Sequence, residues 1–191
     1  MWLLSGNDIF GQSKPLSTLS TNQNQNVSCM DSKNLVKYSQ SVRNRYLEQF
    51  ATLPWEQVTK SRGASFDSLR NIMLHTIDAE DKLVNYVITG RTKEWVPRNP
   101  EKFLSMDSIR KSAEETEAKT RDYLAKLTPA ELERKVEFSR PNTQPMLVRV
   151  EDILIHTALE NIHHFGELIA LLWQMDVEPP HMGWLGYIQT K

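Results

Sequence analysis

Residues 150–175 constrain the fold of this chain more than any other segment, because they contain one glycine, no proline and apolar residues at nearly every position around a helix. A helix that is apolar on almost all sides is buried on most of them. Pro179 and Pro180 follow and end the pattern. The segment therefore predicts a central helix, the fourth in the chain, of an all-α domain.

Three polar side chains interrupt this apolar helix, namely His156, Glu160 and His164. Burial of an imidazole or a carboxylate without a partner is costly, so each of them needs a neighbour. Four residues advance a helix by about 40 degrees beyond a full turn, so the three side chains form one slanted stripe. We expect the stripe to face a single neighbouring helix.

Apolar residues at three- and four-residue spacing predict three further helices, over residues 31–53, 66–89 and 105–127. Asp31 or Ser32 can cap the first of them. The third helix has a narrow apolar stripe among many charges and should keep one face in water. Four helices in one chain of this length predict a four-helix bundle.

The connections differ in length and character. Residues 91–104 have no helical period and predict a long crossover loop between helices two and three. Residues 128–131 predict a short helical turn, and residues 136–138 and 146–148 are strand-like. The tail, residues 181–191, is expected to pack back across the bundle.

Composition excludes several classes of protein. The 23 Lys and Arg residues nearly balance the 24 Asp and Glu residues, so no basic excess indicates nucleic-acid binding. No apolar run reaches the roughly 20 residues of a membrane helix. Cys29 is the only cysteine, which excludes an intramolecular disulfide and leaves nitrogen and oxygen as metal ligands. We expect a cytoplasmic protein.

The first 29 residues differ from the rest of the chain. Residues 12–28 are rich in Ser, Thr, Asn and Gln and offer too little apolar area to offset the entropy of ordering them. Residues 1–29 are therefore interpreted as a flexible polar leader, and residues 30–191 as one domain with a C-terminal tail. Met30 stands just before the first helix start, so an upstream start codon is one explanation for the leader.

The polar stripe suggests a metal site. Glu160 and His164, four residues apart, can both reach one divalent ion, and His75 near the middle of helix two is a candidate third ligand. The alternatives are a salt bridge or hydrogen bond between Glu160 and a neighbouring histidine, or His156 in place of one proposed ligand. Spacing alone leaves these interpretations open.

Other polar residues near the stripe have weaker claims. His163 points about 100 degrees away from His164 and is interpreted as structural or supporting. His181 follows two prolines and is expected to be exposed. Asp78 lies one turn after His75 and can orient its imidazole or a neighbouring arginine. The sequence contains no glycine-rich phosphate loop and no Gly-x-Ser-x-Gly motif.

Two segments resemble hallmarks of the DinB/YfiT-like superfamily. One is residues 156–168 in the last helix, HTALENIHHFGEL, and the other is residues 75–81 in helix two, HTIDAED. With the helix order and the long crossover, the resemblance extends over about residues 31–180. It implies a four-helix bundle that binds a nickel, zinc or similar divalent ion.

The resemblance implies that the ligands are His75, Glu160 and His164. Glu160 stands where the superfamily usually has histidine, and Phe165 and Glu167 stand where it usually has Arg and Gln. A carboxylate is a harder ligand than an imidazole, and it favours zinc, iron or manganese. We therefore expect one divalent ion, which is zinc, nickel, iron or manganese.

The functional hypotheses belong to three classes. The resemblance allows a metal-dependent hydrolase or a thiol-dependent transferase acting on a small molecule, with His156 available for proton transfer or for support of the ligands. The alternatives are a non-catalytic stress-response protein that binds a small molecule or metal, and a structural bundle with an internal hydrogen-bond network. Trp173 is compatible with a homodimer or with cover by the chain's own tail.

Overall fold

Four long helices dominate the described part of the chain, residues 31–139 and 143–190 of a computed structural model. The predicted leader, residues 1–29, lies outside the described residues. In chain order the elements are α1 (Ser32–Ala51), α2 (Trp55–Thr59), α3 (Leu69–Glu80), α4 (Met106–Ala125), α5 (Pro129–Glu133), β1 (Lys135–Phe138), β2 (Met146–Arg149), α6 (Val150–Trp173) and α7 (Trp184–Gln189).

The helices predicted as one to four correspond to α1, α3, α4 and α6, and they form the expected bundle. α6 packs against α1 and α3, and α4 packs against the same two helices. The larger core cluster includes Met73 of α3 and Phe165 and Leu168 of α6. A second cluster lies under the β-strands and includes Val84, Val136 and Ile153. No helix among the described residues has the length and apolarity needed to cross a membrane.

The N-terminus of α3 differs from the prediction. Ser68 caps the helix by accepting a hydrogen bond from the backbone N–H of Asn71 at 3.2 Å. Asp67 adopts a left-handed backbone conformation with φ of 71°, which interrupts the helical path. The predicted start at residue 66 was therefore wrong by three residues, and Phe66 lies in a loop.

α3 continues into a π-helical segment, Asp81–Val87, before the chain turns at Gly90. Its backbone hydrogen bonds reach back five residues, as from Ile88 N to Leu83 O at 3.1 Å. π-Helical turns are rare and are concentrated near functional sites. The apolar period alone predicted a regular helix here, because it does not reveal the change in hydrogen bonding.

The predicted crossover between α3 and α4 is held on the bundle by Arg98. Its guanidinium donates to Asp78 Oδ1 at 2.6 Å and Asp81 Oδ2 at 3.3 Å, and to the hydroxyls of Ser112 and Thr116 at 2.6 and 2.8 Å. A largely buried arginine with two carboxylates is well compensated. The crossover is therefore fixed against α3 and α4 despite its lack of long helices.

The two strand-like segments pair as an antiparallel hairpin, in which Val136 lies opposite Val148. The tail packs back across the bundle as predicted, because Trp184 and Tyr187 contact the ring of Tyr38 at centroid distances of 5.1 and 5.3 Å. Trp173 remains 56% exposed, so the tail does not cover it. The homodimer stays a prediction.

A buried ion cluster joins three of the long helices. Arg43 of α1 is fully buried and donates to Glu80 Oε2 of α3 at 2.5 Å and to Glu117 Oε1 of α4 at 2.9 Å. The side-chain amide of Gln40 donates a hydrogen bond to the other carboxylate oxygen, Glu80 Oε1, at 2.7 Å. Buried charges are tolerated when they are paired in this way, and removal of one partner leaves the other uncompensated.

We expect Arg43→Met to destabilise the protein by about 3–5 kcal/mol, because it leaves the buried Glu80 carboxylate without its cation. Urea unfolding measures the change. Lys37→Met is the matched control, since Lys37 is exposed on the same helix and should change stability by no more than about 0.5 kcal/mol. A loss below about 1 kcal/mol for Arg43→Met would contradict the importance of the cluster.

Candidate metal centre

His75, Glu160 and His164 meet where α3 packs against α6. Glu160 and His164 are one turn apart on α6, and His75 reaches them from the middle of α3. Glu160 Oε1 lies 3.3 Å from His75 Nε2 and 3.4 Å from His164 Nε2. One ligand atom from each residue lies within 4.8 Å of the other two. The structure thus brings together all three residues proposed from the sequence.

These separations are compatible with a divalent ion shared by the three side chains and also with hydrogen bonds between the carboxylate and the imidazoles. Ligand atoms about 2.1 Å from a four-coordinate zinc ion lie about 3.4 Å from one another. The 3.3 and 3.4 Å separations of Glu160 Oε1 from the two imidazole nitrogens therefore suit two ligands of one ion as well as hydrogen-bonded groups.

Glu167 holds His164 from the opposite side of its ring. Glu167 Oε2 lies 3.3 Å from His164 Nδ1. A carboxylate accepts a hydrogen bond, so this contact favours the tautomer in which Nδ1 carries the proton and Nε2 presents its lone pair to Glu160. Metal-ligating histidines are commonly oriented in this way.

The same carboxylate fastens the loop before α3. Ser65 donates from its backbone N–H to Glu167 Oε1 at 2.7 Å and from its hydroxyl to Oε2 at 2.6 Å. The next residue, Phe66, stacks on the His75 ring with a centroid distance of 3.9 Å and meets His164 edge-on at 5.3 Å. The contacts from Ser65 through Glu167, His164, Glu160 and His75 to Phe66 therefore form a closed ring.

The protonation states suit a metal ligand set. Burial lowers the pKa of His75 below its ordinary value, although the hydrogen bond with Glu160 opposes the shift. Burial alone would raise the pKa of Glu160, but the hydrogen bond with His75 and the charges of nearby imidazoles hold it below the usual range. A neutral imidazole and an ionised carboxylate are the forms that bind a cation.

His156 lies outside the immediate cluster. It is half-buried on α6 and lines a separate cavity of about 170 Å³ with Leu83, Phe138 and Ile153. The charge of a protonated His156 is the smallest of the influences that lower the pKa of Glu160. Its role in proton transfer stays a prediction.

The other residues considered from the sequence, His163, His181 and Asp78, are not part of the cluster of three. His163 is exposed and touches the His164 ring edge-on at 5.1 Å. His181 is exposed, as predicted. The sequence suggested that Asp78 orients either the His75 imidazole or a neighbouring arginine. Asp78 pairs with an arginine, Arg98.

Sequence reasoning missed the contacts that position the ligands. Glu167 stands three residues after His164, a spacing that places two side chains on one helix face, and this signal was available. Phe66 could not be found in that way because its contact with His75 depends on the conformation of the preceding loop. Arg98 lies in a segment without periodicity, where sequence offers no guide to its partners.

In the metal-free protein, we expect the free energy of unfolding to fall as the pH is lowered through 6.5, the ordinary pKa of histidine. Unfolded His75 takes up a proton in this range, whereas folded His75, with its lowered pKa, does so only at lower pH. Stability therefore rises with pH across this window. Urea titrations of wild type and His75→Gln from about pH 7 to about pH 5.5 should show a smaller fall for the variant; parallel curves would contradict the lowered pKa.

Comparison with curated proteins gives no significant match. The sequence does match the DinB family over residues 22–191. The matched range contains all the described helices and the three clustered residues, and the helical bundle agrees with this family's fold. The chain therefore belongs to the DinB family.

Proposed function

We propose that this protein binds one divalent metal ion through His75, Glu160 and His164 and uses it to hydrolyse a small molecule. The observation that carries the proposal is Glu160 Oε1 between the two imidazole Nε2 atoms, at 3.3 and 3.4 Å. An ion held there would lower the pKa of bound water towards about 7 or would bind a thiolate.

The donor set favours hydrolysis over thiol transfer. Two histidines and one carboxylate are a ligand set of catalytic zinc sites that activate water. Softer thiol chemistry is usually associated with softer ligands, and a carboxylate reduces the affinity of the centre for a second anion. Thiol-dependent transfer is nevertheless the reaction to assay beside ester and amide hydrolysis.

The surrounding residues have distinct roles in this proposal. Glu167 holds the His164 ring so that Nε2 is available, and Phe66 stacks on one face of the His75 ring and restricts its rotation. The ionised Glu160 supplies the negative charge that a dication requires. His156 is the candidate for moving a proton at the edge of the site.

We expect the protein, purified without a metal-affinity tag, to bind about one divalent ion per chain when offered zinc, nickel, iron or manganese. Glu160→Ala and His164→Ala should abolish that binding because each removes a ligand. Elemental analysis after dialysis measures the content. His163→Ala is the matched control, since His163 neighbours His164 in sequence but is exposed and should leave the metal content unchanged.

A native chain that takes up none of the four metals would refute the proposed site and favour a structural hydrogen-bond network. Equal metal content in all variants would assign the ion to other residues. Stoichiometric metal without turnover of esters, amides or thiol adducts would favour a non-catalytic binding protein over a hydrolase.

We expect Glu167→Ala to weaken metal affinity by about 10–100-fold, because the His164 ring loses the acceptor that fixes its orientation. Glu167→Gln should retain most of the affinity, since the amide oxygen still accepts from Nδ1. Titration calorimetry measures the affinity, and ¹⁵N shifts of His164 report the tautomer.

Ser65→Ala separates this role from that of the loop. It removes one bond between the loop and Glu167 but leaves the contact with His164 intact, so its effect on affinity should be small. If Ser65→Ala and Glu167→Ala weakened binding equally, Glu167 would act through the loop and not through the histidine.

A further inference from the structure

A second feature of chemical interest is the cavity of about 340 Å³ between α3 and the crossover, bordered by His75 and Phe66. It occupies the side of α3 that faces the crossover, with Asp78 and Lys82 on the helix and Trp95 opposite. Its volume lies in the range of pockets that bind small molecules, about 300–1,000 Å³. The cavity shares His75 with the proposed metal ligands but includes neither Glu160 nor His164 among its lining residues.

Two residues that line this cavity, Trp95 and Asn71, carry hydrogen-bond donors with spare capacity. The indole N–H of Trp95 is buried and has no acceptor among the described residues. The side-chain oxygen of Asn71 already accepts from Arg70 Nε at 3.0 Å, which leaves its NH₂ group as the part with free capacity. A buried donor without an acceptor is costly, so a ligand that brings acceptor atoms would be favoured here.

Lys82 supplies a positive charge at the same place. Its ammonium lies 4.8 Å from the centre of the Trp95 ring, and no carboxylate among the described residues pairs with it. Asp78, the acidic residue of the lining, is already paired with Arg98 at 2.6 Å. The lining therefore has one basic group in excess, which suits a ligand with a single negative charge.

Most of the other lining residues are apolar. Phe66, Trp95, Pro97 and Pro100 contribute rings to the lining. Apolar walls with a few placed polar groups are typical of small-molecule sites. A planar or ring-shaped ligand body would bury more surface here than a flexible polar one.

We propose that this cavity binds a small carboxylate with an apolar, ring-containing body, whose carboxylate accepts hydrogen bonds from Lys82 and Trp95. The inference rests on the proposed function in one respect: it names the substrate class of the site that His75 adjoins. Binding itself requires none of the three metal ligands, so it can be measured on metal-free protein.

The test titrates benzoate, benzyl alcohol and phenyl phosphate into protein treated with EDTA. Trp95 is one of five tryptophans, and its indole N–H signal in a ¹H–¹⁵N spectrum is assigned by its loss in Trp95→Phe. We expect benzoate to shift this signal and to bind at least tenfold more tightly than the other two compounds. Calorimetry should show at least a tenfold weaker affinity in Lys82→Met and a weaker one in Trp95→Phe.

Lys93→Met is the matched control, because Lys93 is exposed on the same crossover and should leave benzoate binding unchanged. Equal binding of benzoate and benzyl alcohol, tighter binding of phenyl phosphate, or an unaffected Lys82→Met variant with native helical content would each overturn the assignment. Benzoate that binds only after zinc is added would place the carboxylate on the metal instead. Failure of the metal proposal alone would appear as absent zinc uptake with benzoate binding intact.

Discussion

The buried guanidinium of Arg43 is the contact on which the arrangement of the bundle depends. It ties α1 to Glu80 of α3 and to Glu117 of α4, and each of these charges has its partner on another helix. A charge buried without a partner is far less stable, so the cluster selects against sliding or rotating any of the three helices. Glu80 lies little more than one turn after His75, and the cluster thereby also fixes the height at which His75 meets α6.

The candidate metal centre combines rigid helices with one loop. α3 and α6 place the three ligand side chains, and the loop before α3 contributes Ser65 and Phe66 around them. Because Glu167 contacts both His164 and Ser65, the orientation of a ligand and the position of the loop are linked. The loop could not move away from His75 without also disturbing His164.

The choice of His75, Glu160 and His164 as one ligand set came from the resemblance to the DinB/YfiT-like superfamily. Periodicity and polarity predicted the four long helices, the long crossover, the two strand-like segments and a polar stripe on α6 with His75 as a candidate partner. These features follow from short-range spacing together with the requirement that buried polar groups find partners. The start of α3 was missed because the left-handed conformation of Asp67 depends on loop packing. Arg98 and Phe66 were missed because their partners are distant in sequence or lie in segments without a regular period.

The π-helical segment determines which side chains an insertion or deletion of one residue in this helix would displace. The residues before Asp81 present His75 to α6, whereas Leu83, Val84 and Val87 enter the core cluster under the hairpin. In a regular α-helix each residue turns the chain by about 100 degrees, so loss of one residue here would bring different side chains under the hairpin. The π-helical segment changes the angular position of the side chains that follow it relative to those of α3 before it. Gain or loss of a residue within it alters the core beneath the strands while the end of the helix that carries His75 keeps its alignment with α6.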